Sequence, residues 1–155
     1  MLEVGRSKVK AAGFERDITL EVGDVLGLRY DDHSFDGAIT SFCIRNVTDR
    51  RRGLSEIRRV VRPGGKLIIL ELTEPTGLLM RPMFRLYANA VMPLLTKLLS
   101  SVSAYRYLAD SMAHFPKPDT VLALMNEVGF VNLRYKHMTG GIVTLFQGES
   151  PELAS

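Results

Sequence analysis

One cysteine, no tryptophan and three histidines are all that 155 residues supply of the rarer side chains. A lone Cys43 excludes an intramolecular disulfide and fits a reducing compartment, so a cytoplasmic location is expected. His33, His114 and His137 are scattered and have no cysteine partners, so no metal-ligand spacing exists and no metal is expected. No GxGxxG follows a strand, which leaves a nucleotide-dependent oxidoreductase without support. Long apolar runs are missing too. The greasiest segment, 78–102, has a longest uncharged stretch at 86–96, roughly half of what a bilayer crossing requires. The first residues, MLEVGRSKVKAAGF, have no apolar h-region of a signal peptide, and no Ser, Thr, Asp or Asn precedes the helix they open. A net charge of only +3 does not suggest nucleic acid, which needs a concentrated basic face. The one basic cluster, DRRRG at 49–53 with Arg58, Arg59 and Arg62, reads better as a solvated helix start or a contact with anionic lipid.

What is present alternates. Helical spacing over residues 1–12 stops at Gly13, and strands are expected at 18–22 and 35–42, the second after the turn-rich YDDHS. Thr48 and Asp49 offer N-cap side chains to a helix through Val61, with Leu54, Ile57, Val60 and Val61 as its buried stripe. RPGG at 62–65 reads as a turn, and KLIILEL at 66–72 as a central strand covered on both faces. A long helical segment over 78–102 follows, read either as a core helix pair or as a cap over an apolar ligand near a membrane surface. A helix at 119–128 and two strands, 131–138 and 142–147, paired antiparallel through Thr139-Gly140-Gly141, complete an α/β fold; residues 149–155 look like a loose tail.

Four groups could carry chemistry. Asp24 with Val25, just past an expected strand, suits an adenine, since a carboxylate accepts from the exocyclic amine and a backbone N–H donates to a ring nitrogen; ordinary turn chemistry explains Gly-Asp equally well. Ser41 ends a strand and is followed by Arg45 and Asn46, which could stabilise a phenolate and fix a hydroxyl, or serve a surface ion pair and a turn cap. Glu71 closes a buried strand at the end where α/β clefts form, or is a satisfied edge residue. Tyr105-Arg106-Tyr107 offers stacking and hydrogen bonding beside the greasy segment, or helix packing.

In order, GDVLGLRYDDHSFD, SFCIRNVTDR, RVVRPGGKLIILEL, YRYLADSMAHFP and NEVGF followed by GGIVTLFQG resemble the menaquinone and ubiquinone biosynthesis C-methyltransferases of the UbiE/MenG type, over residues 1–148. The resemblance implies a Rossmann-like class I sheet with an antiparallel carboxyl-terminal hairpin, and a helical substrate cap at about 76–114. It implies S-adenosylmethionine as cofactor, contacted by Asp24, Val25 and Ser41. It also implies a polyprenyl quinol substrate met by Arg45 and Asn46, and peripheral contact with the inner face of a membrane. Cys43 stands where the family usually has glycine, Arg29 and Tyr30 where Pro and Phe are frequent, and Thr73 where Ser is common. The family's first strand, its glycine-rich loop and the acidic end of its second strand have no counterpart, because residues 1–5 match the helix that follows them. A truncated amino terminus is therefore expected, from a misassigned start or a fragment, with residues 18–22 left beside a gap, re-paired, or completed by a second chain. The rival expectation is an inactive interaction module of the same fold.

Overall fold

The computed structural model describes residues 2–75, 107, 111–112 and 114–152. The expected helix at 78–102, Tyr105, Arg106 and most of the cap at 76–114 lie outside them.

Helix α1 (Leu2–Ala11) ends at Gly13 and buries none of its residues. It sits beside Leu20, whose carbonyl accepts a hydrogen bond from Arg6 at 3.3 Å, rather than on the sheet. Strand β1 (Phe35–Ser41) leads through a 3-10 turn (Ile44–Asn46) to α2 (Arg50–Val60). The Asp49 side chain caps α2 by accepting from the Arg52 amide at 2.9 Å, as its residue type predicts. Strand β2 (Val61–Leu72) follows directly, then α3 (Pro118–Glu127), β3 (Val131–Met138), a 3-10 turn (Thr139–Gly141) and β4 (Val143–Glu149). The sheet order is β1-β2-β4-β3, with β1 and β2 parallel and the last two strands an antiparallel hairpin.

Leu54 and Ile57 of α2, Val121 and Met125 of α3, Leu67 and Ile69 of β2, and Phe130 and Phe146 form one buried cluster. Helices α2 and α3 thus cover one face of the sheet. The expected double covering of 66–72 is only half realised: Leu67, Ile69 and Glu71 are buried, while Ile68, Leu70 and Leu72 are half-buried. Strand β2 is nevertheless central, hydrogen-bonded to β1 on one side and β4 on the other.

Three expectations change. Residues 18–22 form no strand, and among the described residues β1 is an edge, with Ile39 79% exposed. A strand needs a neighbour for its backbone groups, and among the described residues no strand lies beside 18–22. RPGG is not a turn ahead of β2 but a bulge inside it: while β1 advances from Phe35 to Gly37, β2 advances from Val61 to Lys66. Gly64 takes φ 76°, and a Cβ on Gly65 would lie 2.6 Å from the Asp36 carbonyl oxygen, so the bulge needs both glycines. The tail, finally, does not start at 149. Glu149 ends β4, and Ser150 is buried, accepting from the Gly64 amide at 2.9 Å and donating its own amide to the Gly65 carbonyl at 2.8 Å.

Candidate active site

The carboxyl end of β1 is built by an abrupt change of direction. Phe42 adopts φ 54°, a left-handed conformation rare for a bulky residue, while its amide still donates to the Leu70 carbonyl at 2.8 Å. Strain of this kind collects where a chain must present particular groups. The turn after it buries Ile44 as an anchor and carries Arg45 and Asn46 past the end of the strand, Arg45 nearly buried and Asn46 exposed.

Arg45 is not a surface ion pair. Its Nη1 lies 2.6 Å from Oε1 of Glu71, whose side chain is fully buried, while the Arg45 side chain is 10% exposed. Glu71 Oε2 also accepts from the Arg45 amide at 3.1 Å, and Oε1 from the Leu72 amide at 3.0 Å. Arg45 further donates from Nη1 to the Phe42 carbonyl at 3.0 Å and from Nε to Ser111 Oγ at 3.3 Å. Beside it, Asn46 Oδ1 accepts from the Tyr107 hydroxyl at 2.8 Å, leaving the amide nitrogen to donate elsewhere. Residues 107 and 111 thereby reach the two side chains that the sequence singles out. Arg50 supports the turn from below: its Nη2 donates to the Arg45 carbonyl at 3.0 Å, and its guanidinium lies 5.7 Å from the Phe115 ring centre.

Two of the expected cofactor contacts, Asp24 and Val25, lie on a neighbouring loop, and the third, Ser41, ends β1. Asp24 is exposed, and its Oδ1 accepts from the Leu26 amide at 3.0 Å, so one carboxylate oxygen serves the turn and the other is left over. Val25 is half-buried and packs against the core, near Gly53 of α2. Ser41 is exposed at the end of β1. An exposed carboxylate oxygen and a strand-end hydroxyl fit the amine and hydroxyl groups of an adenosine, so these residues are compatible with S-adenosylmethionine at that end.

Arg59 holds this loop against α2. All five of its N–H groups are used: Nε and Nη2 on the Glu56 carboxylate at 3.0 and 2.9 Å, Nη2 on the Leu28 carbonyl at 2.9 Å, and Nη1 on the Tyr30 carbonyl and Asp32, both at 2.8 Å. Glu56 closes the ring by accepting from the Leu28 amide at 3.0 Å. The Arg59 fork, followed by burial acting the other way and then the Leu28 amide, holds the Glu56 carboxyl below its usual range. In the same loop, a hydrogen bond to Glu21 raises the Tyr30 phenol. Nothing in the spacing of Arg59 marks this role, since it lies in a run of arginines that reads as a solvated face. Ser111 likewise carries no sequence signal.

Among the described residues no group of three or more His, Cys, Asp and Glu could hold a metal, and no helix is long and apolar enough to cross a membrane.

A parallel pair joined through a helix, a central strand carrying polar groups at its end, and a reversed final strand match part of the class I S-adenosylmethionine-dependent methyltransferase fold. Solved structures agree. The Haemonchus contortus phosphoethanolamine N-methyltransferase 2 superposes with TM-score 0.70 at 16% identity over 98% of this chain and 41% of its own. The [4+2]-cyclase SpnF gives TM-score 0.69 at 13% identity over 97% and 62%. The particular family follows from sequence: the ubiE/COQ5 methyltransferase family profile matches residues 1–149, and the chain belongs to that family. It is 43% identical to a ubiquinone/menaquinone biosynthesis C-methyltransferase UbiE of a Geobacter species, over 96% of this chain and 63% of the relative. A demethylmenaquinone methyltransferase of Clavibacter sepedonicus is 41% identical over 97% and 61%. The chain thus spans a little under two thirds of the length of these curated relatives.

Proposed function

We propose that this chain carries the substrate half of an enzyme that methylates a ring carbon of a demethylated polyprenyl quinol, a demethylmenaquinol or a ubiquinol precursor. The observation that supports the reading most is the Arg45–Asn46 pair, held in fixed geometry at the end of β1 in a member of this family. S-adenosylmethionine supplies the methyl group as an electrophile, with Asp24, Val25 and Ser41 as its contacts in this chain. Arg45, directly or through a water, favours the phenolate form of the quinol and so raises electron density at the adjacent ring carbon. The Asn46 amide nitrogen donates to the ring oxygen and sets the ring's orientation, so that the rate gain comes mainly from positioning.

Two parts of the reading concern surroundings. A second chain completes the sheet beside β1, an assignment supported by the outer edge of that strand, unpaired among the described residues, and by the exposure of Ile39. The polyprenyl tail places the working protein at the cytoplasmic face of a membrane, where the residues at 76–114 serve as the cap. The rival reading, an interaction module without catalysis, draws on the same unpaired edge.

Calorimetric titration of S-adenosylhomocysteine separates the two. Micromolar binding, followed by transfer of labelled methyl into a demethylmenaquinol analogue, supports the enzyme. No binding by a folded sample supports the interaction module. Light scattering of the same sample reads the second chain, and flotation with anionic vesicles reads the membrane contact.

A further inference from the structure

Among the described residues Glu71 is the one carboxylate with no exposure at all, and its hydrogen bonds go to one neighbour and the peptide beside it. An arginine has five N–H donors in a fixed plane. In Arg45 the two on Nη1 go to Glu71 Oε1 and the Phe42 carbonyl, and the one on Nε goes to Ser111. The two on Nη2 have no partner among the described residues. Because Glu71 also accepts the Arg45 main-chain amide, it grips both ends of the same residue, so backbone and guanidinium are held as one unit.

We propose that Glu71 is a positioning residue for the quinol site: it locks the Arg45 guanidinium in one orientation and thereby selects Nη2 as the edge offered to the ring oxygen. The proposal rests on the reading of Arg45 as the quinol contact. Two consequences follow from the chemistry. The Arg45–Glu71 pair has no net charge, so Arg45 offers the ring oxygen two directed N–H groups rather than an unbalanced cation. Lysine cannot replace Arg45, because a single ammonium cannot reach Glu71, Phe42 and Ser111 in a plane and still present two further donors.

The test joins nuclear magnetic resonance to kinetics. In the full chain labelled with 15N-arginine, the Arg45 guanidinium, identified by its disappearance in Arg45→Lys, is expected to show separate Nη1 and Nη2 signals from hindered rotation. In Glu71→Gln those signals are expected to merge. Per folded molecule, that variant is expected to lose about 100-fold in kcat, the scale of a misplaced reacting group, with the KM for S-adenosylmethionine unchanged. A purely structural role would lower the melting temperature and leave both the signals and the turnover of the folded fraction as in wild type, and that result overturns the proposal. Merged signals in the wild type overturn it as well, even if Glu71→Gln does not fold. If the wild type transfers no methyl group, the functional reading fails, while the guanidinium signals still decide whether Glu71 fixes Arg45.

Discussion

Replacing Arg45 with alanine tests stability before it tests chemistry. The substitution removes the cation paired with a fully buried carboxylate, together with the side-chain donor at 2.6 Å, and among the described residues leaves Glu71 with two main-chain amides. Breaking a buried ion pair in this way costs about 3–5 kcal/mol, because the remaining charge has lost its partner without regaining water. Set against a stability of roughly 5–15 kcal/mol for a domain, that is a large share. At about 2–4 °C per kcal/mol for a chain of this size, the melting temperature should fall by roughly 6–20 °C. Neutralising both residues, with Arg45→Ala and Glu71→Gln together, should recover about 1–3 kcal/mol of the loss, since no unpaired charge stays buried. Urea unfolding of wild type, the two single variants and the double variant forms the cycle that measures this. A cost below about 1 kcal/mol for Arg45→Ala, the value of an exposed pair, would falsify the burial argument. Lost methyl transfer in Arg45→Ala therefore assigns a chemical role only if the folded fraction is counted in the same sample.

The remaining predictions address the loop, the buried polar chain and the core. Arg59→Lys keeps the charge but supplies three donors where five acceptor contacts exist, so hydrogen exchange at the Leu28 amide should speed up and S-adenosylhomocysteine binding should weaken by about tenfold, the penalty for a loop competent only a tenth of the time. Unchanged exchange at Leu28 would disconnect Arg59 from the loop. Since the folded Glu56 carboxyl is depressed, its contribution is fully present above the unfolded value of about 4.3 and disappears as pH falls through the lower folded value; melting curves from pH 6 to 3 should therefore be flatter for Glu56→Gln than for wild type. Thr73 donates to the Gly141 carbonyl at 2.9 Å, which leaves its oxygen to accept from Thr144 at 2.7 Å; Thr144 must then accept from His137 Nδ1 at 3.0 Å. Neutral His137 should accordingly be the Nδ1–H tautomer in 15N spectra, and Thr144→Val should abolish that preference and cost about 1–3 kcal/mol. Phe146→Ala, at a fully buried position of β4, should cost about 3–5 kcal/mol in denaturant unfolding.

Much of this protein is legible without a structure because local rules decide it. Asp49 caps its helix, the Leu54–Ile57 stripe faces the sheet, and the alternation of strand and helix gives parallel pairing, since short-range propensities and period agree there. The motif SFCIRN marks the candidate site for the same reason: a strand that ends on polar residues announces its own end. Asp24, Ser41, Arg45 and Asn46 could be nominated from sequence, but which acid meets which base could not. The Arg45–Glu71 contact joins residues 26 apart, and the Tyr107–Asn46 bond joins residues 61 apart. No local pattern encodes such separations.

The errors have the same origin. Residues 18–22 have strand composition, yet a strand exists only when another backbone offers it hydrogen bonds; RPGG has turn composition, yet β1 on one side and Ser150 on the other hold it within β2 as a bulge. The sequence by itself determined the three helices Leu2–Ala11, Arg50–Val60 and Pro118–Glu127 to within a few residues, which residues are apolar enough to form the core around them, and which polar groups stand at the end of β1. Only the tertiary structure decided that Glu71 is buried against Arg45, that Arg59 is a loop fastener rather than one more surface charge, and that β1 is an edge among the described residues. Side-chain type and spacing are properties of the chain, but burial, ion pairing and hydrogen-bond partnership depend on what the fold brings alongside.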